Sequence, residues 1–199
     1  SVSNLSCLYG NDKGYPCMKF IVKYMPQREA QLIEMKKQIP DVIVVQDRIQ
    51  SHMDTFIRAL EEAGDEPAVH LEDDIVLCDN FVERCLEQIK LRQDRMIQFF
   101  SMRKADIEVG SRYDYGANFL MNQCVYYPAG YSRMIKDFWI AWDRKEEHPS
   151  GSDTMIADFL KSRKEKYYIV VPNLVDHVEG KSVIDPRRSS KRLSKTFKR

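Results

Sequence analysis

The chain has 199 residues, of which 43% are hydrophobic and 11% aromatic, and its 31 Lys and Arg balance 30 Asp and Glu. This composition excludes disordered and fibrous proteins and favours one globular domain. No apolar run approaches the roughly 18–20 residues that cross a bilayer, and residues 1–13 lack the charged-then-apolar order of a secretory signal. We therefore expect a soluble protein without a membrane span.

The near-neutral charge is unevenly distributed along the chain. Residues 187–199 hold seven basic side chains and no acid, which leaves a net charge of −6 on the other 186 residues. An acidic body argues against a protein that coats nucleic acid. Three interpretations of the basic tail stay open: a solvated terminus, a strap over a bound diphosphate, or a contact for an anionic acceptor such as nucleic acid.

The cysteines indicate the cellular compartment. There are five of them, and they form no CxxC pair: Cys7, Cys17, Cys78, Cys85 and Cys124. An odd number of separated cysteines fits reduced, buried thiols better than a disulfide framework or a zinc site. We therefore expect a cytoplasmic protein.

Hydrophobic periodicity predicts strands that alternate with helices. Residues 1–17 show no sustained period and are interpreted as a leader or an extended segment. Strands are predicted at 19–24, 42–45, 68–71, 96–102, 124–127 and 167–171, and helices at 27–39, 53–60, 81–89, 131–142 and 152–160. Residues 103–116 are polar and punctuated by glycine, which predicts a loop.

This alternation predicts the fold class. We expect a single α/β domain over residues 18–186, with a mostly parallel central sheet, helices on both faces, and a basic tail at 187–199. In such sheets ligands bind at the carboxyl ends of the strands. Neither GxGxxG nor GxxxxGK[ST] occurs, which disfavours a dinucleotide dehydrogenase or a P-loop kinase.

Three consecutive acids, Glu72, Asp73 and Asp74, end the third predicted strand. Adjacent carboxylates repel one another unless a cation or hydrogen-bond donors neutralise them. Because side chains alternate along an extended segment, Glu72 and Asp74 are predicted to point the same way and Asp73 elsewhere. A hard ion such as Mn²⁺ or Mg²⁺ bridging a diphosphate suits this arrangement. The alternative is a solvated acidic turn that caps the next helix.

Four further residues follow predicted strands or begin helices. His177 comes after the last strand, at the sheet edge where the acids also lie, and is interpreted as a further ligand of the same ion or as a structural histidine. Asp47 follows the second strand and is interpreted either as an acceptor of hydrogen bonds from a nucleotide or as an exposed turn acid. Arg58, on the next helix, is interpreted either as a group that approaches a diphosphate or as a solvated helical arginine. Asp153 begins a late helix, where the helix dipole lowers a carboxyl pKa.

The order of these features resembles the small metal-dependent nucleotide-sugar glycosyltransferases of the GT-A fold, including short viral and phage examples. The resemblance spans residues 19–190 and is carried by the opening strand, the strand ending at Asp47, HLEDDIVLCDNF at 70–81 as a DXD-type motif, Asp153 within GSDTMIADFL, and VVPNLVDH at 170–177. The motif here is EDD, which differs from strict DXD.

The resemblance implies a role for each residue. Glu72, Asp74 and His177 would hold the Mn²⁺ or Mg²⁺ ion, and Asp153 would be the general base of an inverting transfer. Asp47, Arg58 and Asp73 would bind the donor. By analogy with tails that close over the donor in such enzymes, three residues after His177 would approach the diphosphate: Ser182, Arg187 and Arg188.

The implied activity is transfer of a sugar from a nucleotide diphosphate, UDP favoured, to a hydroxyl group. The acceptor is left open between a glycan, a glycoprotein and a hydroxylated DNA base. If the source is viral, the host cytoplasm is the expected location. Two other classes remain: a metal-dependent phosphodiesterase or nuclease built on the same carboxylates, and a nucleotide-binding module without catalysis.

Overall fold

The computed structural model describes residues 18–178 and 192–199. A seven-stranded sheet forms its centre, with spatial order β2-β1-β3-β7-β5-β8-β6, and a separate two-stranded ribbon pairs β4 with β9. The strands are β1 Lys19–Tyr24, β2 Ile43–Gln46, β3 Ala68–Glu72, β4 Ile75–Leu77, β5 Ile97–Gln98, β6 Arg112–Tyr115, β7 Cys124–Tyr127, β8 Lys166–Ile169 and β9 Val175–His177.

The sheet is mixed, and five of its strands share one direction. β1 runs parallel to β2 and β3, and β5 runs parallel to β8. β7 lies antiparallel between β3 and β5, and β6 pairs antiparallel with β8 at the edge. The predicted mostly parallel sheet is confirmed at this level. Because β7 runs the other way, the residues that precede it meet the carboxyl ends of β1 and β3.

Helices cover both faces of this sheet, as predicted. They are α1 Glu29–Gln38, α2 His52–Ala63, α3 Phe81–Lys90, α4 Ala105–Val109, α5 Tyr131–Ala141 and α6 Ser152–Ser162, with short 3-10 turns at Pro26–Arg28 and Gly116–Asn118. Side chains alternate across the strands, so Phe20 and Val22 pack with α1 and α3, whereas Ile21 packs with α2. A third cluster joins α2, α5 and α6 to β7 and β8.

Two sequence predictions are wrong in this part of the chain. Residues 103–116 are not a loop, because they form α4 and the edge strand β6. The strand predicted at 96–102 is only two residues long, since the chain leaves the sheet after Gln98. Phe99 and Phe100 are nevertheless fully buried. Their apolar run therefore reflects burial outside the sheet, which hydrophobicity alone does not distinguish from a strand.

The described end of the basic tail, residues 192–199, packs on the body of the protein. The backbone N–H of Ser194 donates to Asp176 Oδ1 at 2.7 Å, and its hydroxyl donates to Asn173 Oδ1 at 2.6 Å. The Asn173 N–H donates to the Thr196 hydroxyl, and Phe197 contacts the core beside α1 and α3. This segment is therefore anchored next to β9.

Two smaller expectations concern the cysteines and the membrane. Cys78, Cys85 and Cys124 are buried and free, in line with the predicted reduced thiols. Within 18–178 and 192–199, none of the helices is both long enough and apolar enough to cross a bilayer.

Candidate functional site

A cleft of about 430 Å³ opens at the carboxyl edge of the parallel strands. It is lined by the end of β1, the 72–74 turn, the residues before β7 and the 148–154 segment at the start of α6. Its lining includes Lys23, Tyr24, Met25, Arg28, Asp47, His52, Thr55, Glu72, Asp73, Asp74, Leu120, Asn122, Gln123, Asp153 and Arg192. The predicted acids therefore share one cavity, in the size range of small-molecule sites.

Glu72 ends β3 and is held by two cationic or hydrogen-bonding groups. Its Oε1 lies 2.8 Å from Lys23 Nζ and 2.9 Å from His52 Nε2. Burial, the largest single influence, raises the pKa of Glu72, but Lys23 and His52 together outweigh it, so the net pKa is lowered. Glu72 is consequently a largely buried, ionised carboxylate with Lys23 as its counter-charge.

Asp73 stabilises the turn that follows β1 through two contacts. Its Oδ2 accepts the N–H of Met25, and its Oδ1 lies 2.8 Å from Arg28 Nη1. Only 1% of the residue is exposed. Burial raises the Asp73 pKa to about 6, against opposing effects of the Met25 N–H and Arg28. Asp73 lines the cleft, but both of its carboxylate oxygens are engaged by the protein.

Asp74 lies between two partners. Its Oδ2 is 2.7 Å from Arg28 Nη1 and 3.0 Å from His177 Nε2. Burial by itself would raise the pKa of Asp74, but the hydrogen bond from His177 and the charges of His177 and Arg28 hold it well below its usual range. Asp74 thus stays ionised throughout the physiological pH range.

The predicted side-chain directions within the acidic triplet are wrong. Asp73 and Asp74 both contact Arg28, whereas Glu72 turns to Lys23 and His52. The physical reason is that β3 ends at Glu72, and residues 73–74 form the tight turn into β4. Strand alternation therefore does not extend across the triplet.

His177 is brought to Asp74 by the ribbon of β4 and β9, in which His177 pairs with Ile75. It is buried, and its Nδ1 lies 2.7 Å from the Val178 carbonyl oxygen. Its Nε2 faces Asp74 Oδ2 and also Arg192 Nη2, the latter at 3.1 Å. Nδ1 therefore donates to the carbonyl oxygen, and Nε2 is the ring nitrogen that faces Asp74 and the cleft.

The sequence predicted a divalent ion held by Glu72, Asp74 and His177. Among residues 18–178 and 192–199, no group of three or more His, Cys, Asp and Glu is placed to hold a metal. Glu72 in particular is not gathered with Asp74 and His177. Mg²⁺ and similar hard ions, however, bind through one or two carboxylates and complete their shell with substrate phosphates and water. Asp74 and His177 provide such a partial set.

Asp153 lies in the first turn of α6 and lines the cleft. Its Oδ2 accepts the Met121 N–H at 2.9 Å. The helix-dipole argument predicted a lowered pKa, but burial raises the pKa of Asp153 above its ordinary value, against the Met121 hydrogen bond and the charges of His52 and Lys23. The carboxylate is thereby oriented and made more basic.

Asp47 and Arg58 differ in their relation to the cleft. Asp47 lines it, and its Oδ1 accepts the N–H groups of Ile49 and Ser51 at the start of α2. Arg58 is not among the lining residues, because its Nε bonds Asp54 and its Nη2 bonds the Gln46 carbonyl. The other three predicted donor residues, Ser182, Arg187 and Arg188, lie outside the described residues.

Sequence reasoning missed three basic residues that surround the acids: Lys23, Arg28 and His52. Arg192, which also lines the cleft, was noted only as part of the basic tail. Only Lys23 carried a signal, since a lysine within the apolar run FIVKY must be paired once it is buried, and it is 3% exposed. Asn122 was also missed. Its Oδ1 accepts the Tyr127 hydroxyl at 2.8 Å, and its buried Nδ2 has no partner among the described residues.

Comparisons with known proteins extend only to the fold. No family model matches the chain, and no curated protein matches it. Among solved structures, the crystal structure of A197 from STIV is similar, with 14% sequence identity, a TM-score of 0.50, and coverage of 92% of this chain and 95% of that chain. At this identity the similarity concerns architecture alone. The chain therefore has a mixed α/β, Rossmann-like fold shared over nearly its whole length with A197.

Proposed function

We propose that the protein is a metal-dependent glycosyltransferase that moves a sugar from a nucleotide diphosphate, UDP favoured, to a hydroxyl acceptor with inversion. The observation that carries this proposal is the opposite tuning of two acids in one cleft. Asp74 is kept ionised by His177 and Arg28, whereas burial makes Asp153 more basic. Carboxyl groups whose pKa values are driven apart are typical of sites where one binds charge and the other moves a proton.

Charge neutralisation is the first requirement of the reaction, because the leaving diphosphate gains negative charge as its bond to the sugar breaks. Asp74 and His177 would hold the divalent ion, which supplies that neutralisation when bound. Arg28 and Arg192 add fixed positive charge to the same side of the cleft. These cationic groups support the proposal, because a bound diphosphate would need such neutralisation.

Proton removal is the second requirement, and Asp153 is positioned for it. In the proposed step the acceptor hydroxyl oxygen attacks the anomeric carbon while the carbon–oxygen bond to the diphosphate breaks and its electron pair leaves with the diphosphate. The hydroxyl proton passes to Asp153 Oδ1 or Oδ2. The hydrogen bond from the Met121 N–H fixes the carboxylate, as general-base catalysis requires.

The acceptor is proposed only as a hydroxyl compound, with a glycan, a glycoprotein and a hydroxylated DNA base as the candidates. A nuclease would need several acids around two ions. Within the described ranges, Glu72 is instead paired with Lys23 and His52, and Asp73 and Asp74 share Arg28. This arrangement favours a transferase over a nuclease.

The test has a binding stage and a turnover stage. Thermal unfolding is measured with UDP and GDP, each with and without Mn²⁺, and stabilisation by a nucleotide only with the ion is expected. Turnover is then measured with UDP-sugars as release of UDP. Asp137→Asn, on an exposed acid of α5, serves as the control for Asp74→Asn and Asp153→Asn. DNA cleavage would overturn the proposal, and nucleotide binding without any turnover would leave a binding module.

A further inference from the structure

Two neutral side chains of the cleft have polar atoms without a partner. They belong to the consecutive residues Asn122 and Gln123, which precede β7 and both line the cleft. Asn122 is only 3% exposed, and its Nδ2 is buried without a hydrogen bond within residues 18–178 and 192–199. In the same ranges, Gln123 Oε1 is also buried and unbonded. A buried polar atom without a partner costs free energy, so a free donor beside a free acceptor indicates that a ligand completes them.

The Asn122 amide is held in one orientation from the core side. The hydroxyl of Tyr127, a side chain that is 0% exposed, donates to Asn122 Oδ1 at 2.8 Å. Lys23 Nζ lies 3.5 Å from the Asn122 carbonyl oxygen and so contacts the backbone at the same residue. Because Tyr127 occupies the amide oxygen, the amide nitrogen is the end that stays free. The donor is therefore fixed before any ligand arrives, as a specific binding group requires.

These amides lie beside the proposed general base. Met121, the residue before Asn122, donates its N–H to Asp153 Oδ2 at 2.9 Å. The charges of Asp153 and Glu72 also reach Tyr127, where they raise the pKa of the hydroxyl in addition to burial, the largest cause. In the proposed reaction, the sugar is the part of the donor next to the base, and the diphosphate and the nucleoside follow it.

The chemistry of the free atoms also favours a sugar over a phosphate. A phosphate oxygen that carries no hydrogen only accepts, so it would leave Gln123 Oε1 unsatisfied, whereas a hydroxyl group both donates and accepts. We propose that Asn122 and Gln123 bind neighbouring hydroxyl groups of the transferred sugar, with Asn122 Nδ2 as the donor and Gln123 Oε1 as the acceptor. This inference rests on the proposed function, because it names the residues that recognise the sugar of the proposed donor.

The test compares the affinity for a nucleotide sugar with the affinity for UDP alone. Calorimetric titrations of the full chain, with Mn²⁺ present, use UDP, UDP-glucose, UDP-galactose and UDP-N-acetylglucosamine. For the nucleotide sugar that the wild type binds most tightly, Asn122→Ala is expected to weaken binding about three- to tenfold, the loss of one hydrogen bond. The affinity for UDP is expected to stay within about twofold. Asn118→Ala, at an exposed asparagine outside the cleft lining, is the control and should change neither affinity.

Tyr127→Phe tests the orientation of the amide separately. It keeps the Asn122 side chain but removes the hydroxyl that fixes it. We expect a smaller loss of affinity, again for the nucleotide sugar and not for UDP, because the amide can then rotate. Circular dichroism of each variant shows that a change in affinity is not a loss of fold.

A measurement on the wild type does not depend on whether a variant folds. With isotope-labelled asparagine, the side-chain amide signal of Asn122 in the nuclear magnetic resonance spectrum should shift when the nucleotide sugar replaces UDP. The signal of Asn118 should stay in place. An Asn122 signal that is identical with UDP and with the nucleotide sugar would overturn the inference.

The outcomes separate this inference from the proposed function. If Asn122→Ala weakens UDP and the nucleotide sugar by the same factor, these amides bind the nucleotide and the sugar assignment is refuted. If the variant keeps both wild-type affinities while the wild type binds and turns over the nucleotide sugar, the inference fails and the proposed function stands. If the wild type binds neither UDP nor any of the three nucleotide sugars, the proposed function fails and this inference fails with it.

Discussion

Replacing Lys23 with methionine tests how much the ion pair between Lys23 and Glu72 contributes to the free energy of unfolding. Lys23 Nζ lies 2.8 Å from Glu72 Oε1, and the two side chains are 2% and 16% exposed. Methionine keeps most of the length of the lysine stem but removes the charge, which leaves His52 as the remaining polar partner of Glu72 among the described residues. The variant therefore isolates the contribution of a buried ion pair.

The expected loss in the free energy of unfolding is large. Breaking a buried pair from one side costs about 3–5 kcal/mol, because the remaining charge keeps its desolvation penalty. For a chain of this length, that loss lowers the melting temperature by about 6–20 °C. Unfolding by urea, followed by circular dichroism at pH 7, measures the free energy directly. Lys37→Met, in the exposed pair with Glu34, is the control and should cause no measurable loss.

The double variant Lys23→Met/Glu72→Gln gives the decisive comparison. With both charges removed, most of the lost stability should return, and the coupling energy between the two sites should reach about 2 kcal/mol or more. If the two single losses simply add within about 0.5 kcal/mol, Lys23 does not neutralise Glu72. The lowered pKa of Glu72 would then need another cause.

Three further predictions concern the acids of the cleft. Asp153→Asn should lower turnover about 10²-fold or more at unchanged donor affinity, whereas Asp137→Asn should leave turnover unchanged. Wild-type activity should fall as the pH drops through the raised pKa of Asp153. An unchanged turnover rate in Asp153→Asn would refute the assignment of Asp153 as the general base. Asp74→Ala should abolish Mn²⁺-dependent UDP binding in a thermal-shift assay with the fold intact, and His177→Ala should weaken it; wild-type metal dependence in Asp74→Ala would contradict the ligand assignment. The pKa of Asp73, about 6 against an ordinary 3.8, means that the folded state holds this proton more tightly than the unfolded state. Wild-type stability should therefore fall as pH rises from about 4 to 6, by up to about 3 kcal/mol relative to Asp73→Asn in urea unfolding, and parallel pH profiles would refute this.

The parts of the fold that follow local patterns were predictable. β1, α2, β7 and α5 were located because apolar residues repeat at the period of a strand or helix over their length. The position of the acids also follows, since a strand that ends in polar residues presents them at the carboxyl edge of a parallel sheet.

The parts that depend on tertiary pairing were not predictable. The direction of β7 is set by its neighbours β3 and β5, and its local sequence CVYY fits either direction. The ribbon of β4 and β9 consists of two three-residue strands from distant parts of the chain. Arg28 and His52 were missed because, in the sequence alone, neither can be told apart from an ordinary polar residue of a turn or helix. Their role depends on carboxylates that only the fold brings near.

The ribbon of β4 and β9 has a consequence for the order of folding. It joins segments that are roughly a hundred residues apart, and closing so long a loop carries a large entropy cost for only three residue pairs. During synthesis, the main sheet up to β7 is complete in sequence long before β9 emerges. Asp74 therefore acquires His177 only at the end of folding, and a truncated or nascent chain that keeps β1 to β7 would have the acidic turn without its histidine. We expect that the emergence of β9, rather than formation of the sheet, creates the Asp74–His177 pair.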